Sequence, residues 1–352
     1  MNAAWPLLQF ALCAAVIARA GYVLSHSADR IARATGLGGG WVGLALLGTV
    51  TSLPELASGI TAVAVLQAPN LAVGNALGAC VFNLLFLVGV DALQRRQPIY
   101  REAGTVHLLT AAFGVVMLGF VAMSLLMARA APPLLHLGLY SPLLLGLYLL
   151  ALKSVHAHEA ALIPVMASPA AAPAAPPAAQ APGALEAAKD EPGLSLRREW
   201  HRFGLAAAAV LLAGSGLPHI GDQLAQALGF SRSFAGTLFL ALATTLPEMA
   251  VTLSALRLRA LDMAIGNLLG SNLFNVTILA VDDAFYLRGP LLAEASPVHV
   301  GTAVTAVVMS ALVMVGLLLR PRGRVLRVLS WVSVGLLAAW MLNALVVFLA
   351  AA

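Results

Sequence analysis

Residues 51–56 read TSLPEL and lie at the centre of an apolar run, WVGLALLGTVTSLPELASGITAVAVL, that covers residues 41–66. Both Pro54 and Glu55 are costly in such a segment. A proline removes a helical hydrogen bond and clashes with the preceding turn. A carboxylate away from water costs several kcal/mol unless it is neutralised or paired. The stretch therefore indicates that something in the folded protein compensates for these two residues.

The composition is that of a membrane protein. The chain has 352 residues, of which 61% are hydrophobic and 10% charged, and its mean hydropathy is +0.91. A soluble protein of this length would carry about 25% charged residues. The apolar residues form blocks long enough to cross a bilayer core of ~30 Å, whereas a β-barrel would show short alternating segments. We therefore predict an all-α protein embedded in the lipid bilayer.

Hydropathy predicts ten spans, separated at the middle of the chain by an Ala/Pro-rich break. The break, SPAAAPAAPPAAQAPGALEAAKDEPG, cannot bury a core and is typical of a flexible linker. We therefore predict five helices over residues 1–153, a linker over 154–200 and five more helices over 201–352. The ten predicted spans are roughly 6–28, 40–65, 69–93, 104–128, 133–153, 203–226, 234–256, 261–286, 298–319 and 327–350.

The basic residues predict the orientation, because cytoplasmic loops carry an excess of Lys and Arg. The loops after the odd-numbered spans hold 16 of the 20 Lys and Arg, and those after the even-numbered spans hold three. This places the linker in the cytoplasm and both termini outside. The sequence pI of about 9.7 then reflects topology, and we expect no nucleic-acid partner.

The chain contains an internal repeat. The segment DRIARATGLGGGWVGLALLGTVTSLPELA, residues 29–57, returns as DQLAQALGFSRSFAGTLFLALATTLPEMA, residues 222–250. A second segment, LAVGNALGACVFNLLFLVGVDA, residues 71–92, returns as MAIGNLLGSNLFNVTILAVDDA, residues 263–284. Because each half holds five spans, the second copy enters the membrane in the opposite direction. Inverted repeats with a midplane binding site are the plan of many secondary transporters.

Each half has two discontinuities, T-[ST]-L-P-E in its second span and GN-x-x-G-x-x-x-F-N in its third. Non-helical backbone at membrane depth is tolerated only when it is buried in protein or lines a cavity. Carbonyls, hydroxyls, amides and carboxylates are the hard oxygen ligands that Ca²⁺ and Na⁺ prefer. Glycines four residues apart, as in Gly74/Gly78 and Gly266/Gly270, allow close helix approach. We therefore predict broken helices around a cation site.

The two motifs resemble the α-repeats of the cation/calcium antiporter superfamily, most closely its sodium/calcium exchanger branch. The resemblance covers about 65 residues in each half, and the span plan extends it over the chain. It implies that Ca²⁺ and Na⁺ compete for one midplane cluster and exchange by alternating access, without a cofactor. The resemblance implies that the cluster comprises carboxylates of Glu55 and Glu248, amides of Asn83 and Asn275, carbonyls of Thr51, Thr244, Gly48 and Ala241, and hydroxyls of Ser52, Thr245 and Ser271.

The chain departs from the family pattern at two places. The family's GSN is intact as Gly270-Ser271-Asn272 but reads Gly78-Ala79-Cys80 in the first copy, so one of two monovalent sites loses a side-chain ligand. Some members carry an aspartate where this chain has Asn83 or Asn275. Two amides leave at most two negative charges, enough for one Ca²⁺ or two monovalent ions. The sequence therefore leaves open whether protons replace some of the sodium ions in the exchange.

Four hypotheses follow. The first is a Ca²⁺/Na⁺ antiporter, and the second is a Ca²⁺ or other divalent/H⁺ antiporter in which Glu55 or Glu248 is protonated during the cycle. The third is a membrane-embedded hydrolase with the two acids as a dyad, which the neutral oxygen ligands disfavour. The fourth is a scaffold without transport. The composition indicates a prokaryotic inner-membrane protein, and the sequence leaves its oligomeric state open, a monomer included.

Overall fold

The computed structural model describes residues 4–35, 41–94, 97–128, 130, 132–166, 195–228, 234–325 and 328–349. Within these ranges the chain is helical apart from turns, connecting segments and two isolated β-bridges, which pair Leu134 with Leu137 and Val325 with Leu329. The predicted all-α class is confirmed.

Ten long helical segments follow one another along the described chain. Short helices at Ile99–Glu102 and Leu291–Glu294 precede the fourth and the ninth. The long segments are α1 (Ala4–Thr35), α2 (Val42–Ala64), α3 (Pro69–Leu93), α4 (Val106–Met127), α5 (Tyr140–Met166), α6 (Leu196–Leu228), α7 (235–257), α8 (Leu261–Phe285), α9 (Val298–Leu319) and α10 (Trp331–Leu349).

Eight of these segments are long and apolar enough to cross a membrane, and α5 and α7 are not among the eight. The described residues thus form a multi-pass helical membrane protein. The ten-span inverted topology stays a prediction, and so do the domain boundaries.

The helices beside the predicted linker are longer than hydropathy indicates. α5 continues to Met166 and α6 begins at Leu196, so both reach into residues 154–200. Hydropathy marks where an apolar surface ends, whereas a helix continues as long as its backbone hydrogen bonds are made. Residues 167–194, which hold the Ala/Pro-rich sequence, lie outside the described residues.

Helices α3 and α8 form the centre of the molecule. Within an apolar stretch of 18 residues in each helix, 78% of the residues of α3 and 89% of those of α8 are buried, against 22% for α1 and 28% for α10. The two central helices pack on each other, and each also packs on the start of the broken helix of the other half: α8 on α2, and α3 on α7. Helices that are apolar on all sides are suited to this central position.

Two of the four repeated glycines permit these crossings. A Cβ at Gly270 in α8 would lie 2.6 Å from Leu44 Cα in α2, and a Cβ at Gly78 in α3 would lie 2.5 Å from Thr237 O in α7. Any side chain would therefore force the backbones apart. The close helix approach predicted for these glycines is confirmed at both positions.

Helices α1 and α6 pack along each other on the outside of the broken helices. Gly21 of α1 lies against Pro247, and Gly214 of α6 lies against Pro54. A Cβ added at either glycine would lie 2.8 or 2.5 Å, respectively, from the Cα atom of that proline. Glu199 joins the pair at one end, since its Oε1 lies 3.0 Å from Nη1 of both Arg30 and Arg202. Each outer helix thus covers the helix break of the other half.

Two buried aspartates fasten the connecting segments. Asp283 accepts hydrogen bonds from Gly138 N at 2.8 Å, Tyr140 Oη at 2.7 Å, Ser141 Oγ at 2.5 Å and Leu291 N at 2.7 Å. Asp91 occupies the equivalent position in the first half.

The Asp91 carboxylate accepts hydrogen bonds from equivalent partners: Ile99 N at 3.2 Å, Ser330 N at 2.7 Å and Ser333 Oγ at 2.7 Å. Each aspartate therefore joins a central helix to the first turn of the last long helix in the other half. Asp91 and Asp283 are therefore structural acceptors that fasten helix ends.

We expect Asp91→Ala and Asp283→Ala to lower stability strongly. Each substitution leaves three or four buried donors without their acceptor, at about 1–3 kcal/mol for each donor. The midpoint of thermal unfolding in detergent measures the loss. Asp282→Ala is the matched control, because the Asp282 carboxylate accepts no hydrogen bond in the described part of the chain. Equal midpoints for Asp282→Ala and Asp283→Ala would contradict the assignment.

Candidate functional site

The breaks in α2 and α7 explain how proline and glutamate are accommodated. Six residues in π-helical turns, Val42–Leu47 and Ala235–Leu240, precede each break. The helical conformation is then interrupted at Ser52 (φ −85°, ψ 10°) and at Thr245 (φ −77°, ψ 0°). New helices begin directly afterwards, at Leu53 and Leu246. Single π-helical turns are frequent at functional sites.

Each proline therefore lies in the first turn of a new helix, where its missing N–H has no helical acceptor to lose. Glu55 and Glu248 lie in the same first turns. The partial positive charge of a helix N-terminus favours a carboxylate there. Helix geometry thus compensates for Pro54 and Pro247 fully, and for the two glutamates in part.

The two carboxylates are fully buried and lie within electrostatic reach of each other. Oε1 of Glu248 accepts a hydrogen bond from Ser52 Oγ at 3.0 Å. Its Oε2 and both oxygens of Glu55 accept none from the described chain. Thr245, the counterpart of Ser52, lies within hydrogen-bonding distance of Ala241 O (2.9 Å) and Leu242 O (3.2 Å) instead.

The threonines that precede the breaks contact the central helices. Thr51 Oγ1 lies 3.2 Å from Asn267 Oδ1, and Thr244 Oγ1 lies 3.1 Å from Asn75 Oδ1. Thr244 is near the Glu55 carboxyl, but its hydroxyl is directed to Asn75 and to Ala241 O. These contacts join each break to the central helix of the other half. The predicted roles of the Thr51 and Thr244 carbonyls stay predictions.

Asn75 and Asn267 also bond to the helix that follows the break in their own half. The amide of Asn267 donates to Glu248 O at 3.3 Å and to Thr252 Oγ1 at 3.2 Å, and the amide of Asn75 donates to Ser58 Oγ at 2.7 Å. The two asparagines were not among the predicted ligands. Their recurrence in both GN-x-x-G motifs was the signal that pointed to them.

Asn83 and Asn275 are both buried but differ in their partners. The Asn83 amide donates to Asn272 Oδ1 at 3.1 Å, which leaves Asn83 Oδ1 without a donor in the described residues. The residue equivalent to Asn272 in the first half is Cys80, whose side chain has no carbonyl oxygen that could accept a hydrogen bond from the Asn275 amide. Consistently, neither polar atom of Asn275 has a partner within the described ranges.

Ser271 lies beside Gly48 O and Thr51 Oγ1, each at 3.2 Å, whereas its counterpart Ala79 has no hydroxyl. In this conformation the carbonyl of Gly48 accepts from Ser271, and that of Ala241 accepts from Thr245 N at 3.0 Å. Both carbonyls are therefore engaged within the protein. Ligation by Gly48, Ala241, Ser52, Thr245 and Ser271 stays a prediction.

The structure thus places five buried side-chain oxygens without a donor from the described chain on four of the residues predicted as ligands. They are both Oε atoms of Glu55, Oε2 of Glu248, Oδ1 of Asn83 and Oδ1 of Asn275. Buried polar atoms are normally hydrogen-bonded, and leaving them unpaired is costly. Among the described residues, no three His, Cys, Asp or Glu side chains are grouped so that they could hold a metal ion by themselves. The donor set therefore suits a hard cation that prefers oxygen ligands.

Broken helices that surround buried oxygens at the centre of a helical bundle define the class of secondary transporters. A family model described as sodium/calcium exchanger protein matches residues 5–153 and 199–349. The matched segments cover most of the sequence, and the chain belongs to this family, whose members are transporters and not enzymes.

Three curated relatives share part or most of the sequence. Inner membrane protein YrbG of Escherichia coli K12 is 25% identical over 238 residues, 68% of this chain and 66% of that protein, just under two thirds. Putative antiporter CaxA of Alkalimonas amylolytica is 29% identical over 311 residues, 86% and 87% of the two chains. Sodium/calcium exchanger MaX1 of Methanosarcina acetivorans is 35% identical over 83 residues, 23% and 24%.

Solved structures of the sodium-calcium exchanger NCX_Mj have the same fold. One, from a crystal soaked with 10 mM Na⁺ and 10 mM Sr²⁺, has a TM-score of 0.64 at 19% identity and covers 97% of this chain and 98% of its own. Another, soaked with 10 mM Na⁺ and no Ca²⁺, has a TM-score of 0.62 at 20% identity. At this identity the similarity concerns the fold alone.

We expect Cys80→Asn to strengthen cation binding. An asparagine at residue 80 supplies the acceptor that Asn272 supplies to Asn83, so the Asn275 amide gains a partner and its oxygen is held toward the glutamates. Residues that hydrogen-bond to a metal ligand in this way change metal affinity by about 10–100-fold. Calorimetric titration with Ca²⁺ measures the effect, and Cys80→Ala is the control, with unchanged affinity. Weaker binding by Cys80→Asn would contradict this reading of Asn275.

Proposed function

We propose that the protein is a secondary active antiporter that exchanges Ca²⁺ for Na⁺ by alternating access. The observation that carries the proposal is the set of five unpaired oxygens on Glu55, Glu248, Asn83 and Asn275. Ca²⁺ and Na⁺ both take oxygen ligands, so one cluster serves both ions and each displaces the other. The names of the relatives CaxA and MaX1, an antiporter and a sodium/calcium exchanger, agree with this function.

The charge of the cluster determines how many cations it binds in one transport step. Two carboxylates neutralise one Ca²⁺ or two monovalent cations, and the two asparagines add oxygens without charge. Ala79 has no oxygen at the position where Ser271 has its hydroxyl. One of the two monovalent positions beside the glutamates therefore has one side-chain ligand fewer, which favours an exchange of one Ca²⁺ for two monovalent ions.

Alternating access in this proposal is a movement of α1 and α6 over the rest of the bundle. These helices cover the breaks through Gly21 against Pro247 and Gly214 against Pro54. Contacts without side chains on one partner let helices slide past each other with little steric resistance. The ion pairs of Glu199 with Arg30 and Arg202 hold one end of the two helices together during the movement.

A Ca²⁺/H⁺ antiporter is the second candidate, and the Glu55 carboxyl favours it. Both of its oxygens are buried without a donor from the described chain, and protonation would neutralise it as a cation does. In this variant one glutamate carries a proton on the return half of the cycle. The ion gradient that drives Ca²⁺ flux distinguishes the two candidates.

The test is ⁴⁵Ca²⁺ uptake into proteoliposomes with an imposed Na⁺ gradient or an imposed pH gradient. We expect the Na⁺ gradient to drive uptake, and Glu55→Gln and Glu248→Gln to reduce it by about a hundredfold or more, because each removes one of two charges from a desolvated site. Glu294→Gln is the control, since Glu294 is an exposed carboxylate outside the cluster. Uptake that neither gradient drives, or that survives in Glu55→Gln, would disprove the proposal.

We further propose that the chain lies in the inner membrane with both termini outside and the linker in the cytoplasm. The proposal rests on the 16-to-3 distribution of basic residues, and the relative YrbG is named as an inner membrane protein.

A topology test uses single cysteines in a background without Cys13 and Cys80. We expect a membrane-impermeant maleimide to label Ala130→Cys in intact spheroplasts and Ser168→Cys only after the membrane is opened. Ala130 lies after an even-numbered span and Ser168 lies in the predicted linker. The reverse labelling pattern would overturn the orientation.

A further inference from the structure

Asp282 is a second buried carboxylate without a partner, and the cation cluster does not include it. It lies three residues before the end of α8 and is fully buried. Neither of its oxygens has a hydrogen-bond partner within the part of the chain that the structure describes. The next residue, Asp283, accepts four hydrogen bonds. Asp282 therefore has no structural role of the kind that Asp283 has.

The position of Asp282 is aligned with the central cluster. It follows Asn275 by seven residues, which is about two helical turns and ~10 Å along the same face of α8. Its carboxylate is directed at Gly59 in α2, where a Cβ would overlap both carboxylate oxygens. Gly59 is one turn, ~6 Å, beyond Glu55. Asp282 thus lies beyond the cluster, toward the end of α8 that the basic-residue pattern predicts to be external.

The other half has no equivalent group. The residue 192 positions before Asp282 is Val90, an apolar buried residue of α3. The repeated aspartates, Asp91 and Asp283, are both used as acceptors. Asp282 therefore makes the two sides of the cluster chemically different, with a carboxylate on one side only.

No basic side chain among the described residues pairs with the Asp282 carboxylate. Arg288, which follows α8 in the chain, is exposed. Most of the ionisable groups on α8 and the elements packed against this end of it are acids and phenols: Asp283 beside it, Glu55 on α2, Tyr140 on α5 and Glu294 on the short helix Leu291–Glu294. The exception is His136, which precedes α5, and its Nε2 lies 3.2 Å from the backbone oxygen of Ala284, not against the Asp282 carboxylate. His107 of α4 contacts Asp262 at the opposite end of α8, and Asp91 of α3 also lies at that opposite end.

A metal ion is a poor occupant for this position. The Ser58 hydroxyl, beside Gly59, is engaged with Glu55 O at 3.1 Å and with the Asn75 amide at 2.7 Å. Na⁺ and Ca²⁺ need several oxygens, and beside Gly59 the Asp282 carboxylate supplies the only unpaired side-chain oxygens among the described residues. A proton needs a single oxygen and removes the cost of a buried charge.

We propose that Asp282 is a proton-binding site, separate from the cation cluster, that makes cation entry from the predicted external side depend on the pH of that side. In the conformation described, Asp282 is protonated. When this side opens to water the proton leaves, and the carboxylate attracts cations toward Glu55. The regulatory role rests on the proposed antiport function, whereas proton binding by Asp282 does not.

Infrared spectroscopy of the reconstituted protein tests proton binding directly. With Ca²⁺ saturating the central cluster, we expect a carbonyl band of a protonated carboxylic acid that Asp282→Asn lacks and that Glu294→Gln retains. Asp282→Asn is close in shape to the protonated acid, so the fold is preserved. A spectrum of Asp282→Asn that equals the wild-type spectrum would overturn the assignment. This measurement remains readable with Glu55→Gln, or if the protein transports nothing.

Flux measurements in oriented proteoliposomes test the regulatory role. A tenfold rise in proton concentration on the predicted external side should slow initial Ca²⁺ uptake about threefold, as expected for one site titrated across its midpoint. We expect Asp282→Asn to abolish this response and to leave the response to pH on the opposite side as in wild type. An unchanged response in Asp282→Asn would refute the regulatory role. Equilibrium Ca²⁺ binding, retained in Asp282→Asn and lost in Glu55→Gln, separates that result from a failure of the antiport proposal.

Discussion

The structure depends on one electrostatic constraint, the burial of Glu55 and Glu248 within reach of each other inside a bundle of apolar helices. Two carboxylates in this position repel each other and have lost their hydration. Helix N-termini and the Ser52 hydroxyl stabilise them only in part. In the proposed function a bound cation or a proton provides the remainder, and this requirement is why we propose a site at two otherwise unfavourable residues.

The architecture around the glutamates holds the breaks in place. Each broken helix begins against the central helix of the other half, at a glycine that brings the backbones together. The Thr51 and Thr244 hydroxyls contact asparagines of that helix. A backbone without helical hydrogen bonds is therefore enclosed by protein, as membrane depth requires. Because every such contact joins the two halves, neither half could form the site alone.

The informative features are the places where the two halves differ. Ser52 donates to a glutamate, whereas Thr245 bonds to its own helix. Asn272 accepts from Asn83, whereas Asn275, which faces no such residue because the equivalent of Asn272 is Cys80, has no partner among the described residues. Ala79 stands where the other half has the hydroxyl of Ser271. An antiporter that binds different ions in turn does not need equal half-sites. These differences assign distinct roles to positions that the repeat makes equivalent.

The sequence by itself determined the helical membrane class and the internal repeat, and it predicted the ligands, because apolar periodicity, proline breaks and repeated motifs are local properties of the chain. Only the tertiary structure decided which polar groups are already satisfied. Asp91 and Asp283 are acceptors that fasten helix ends, the Gly48 and Ala241 carbonyls are engaged, and the buried carboxylate of Asp282 has no partner within the described ranges. Hydropathy could not distinguish these groups, because hydrogen-bond satisfaction depends on donors from segments far apart in sequence.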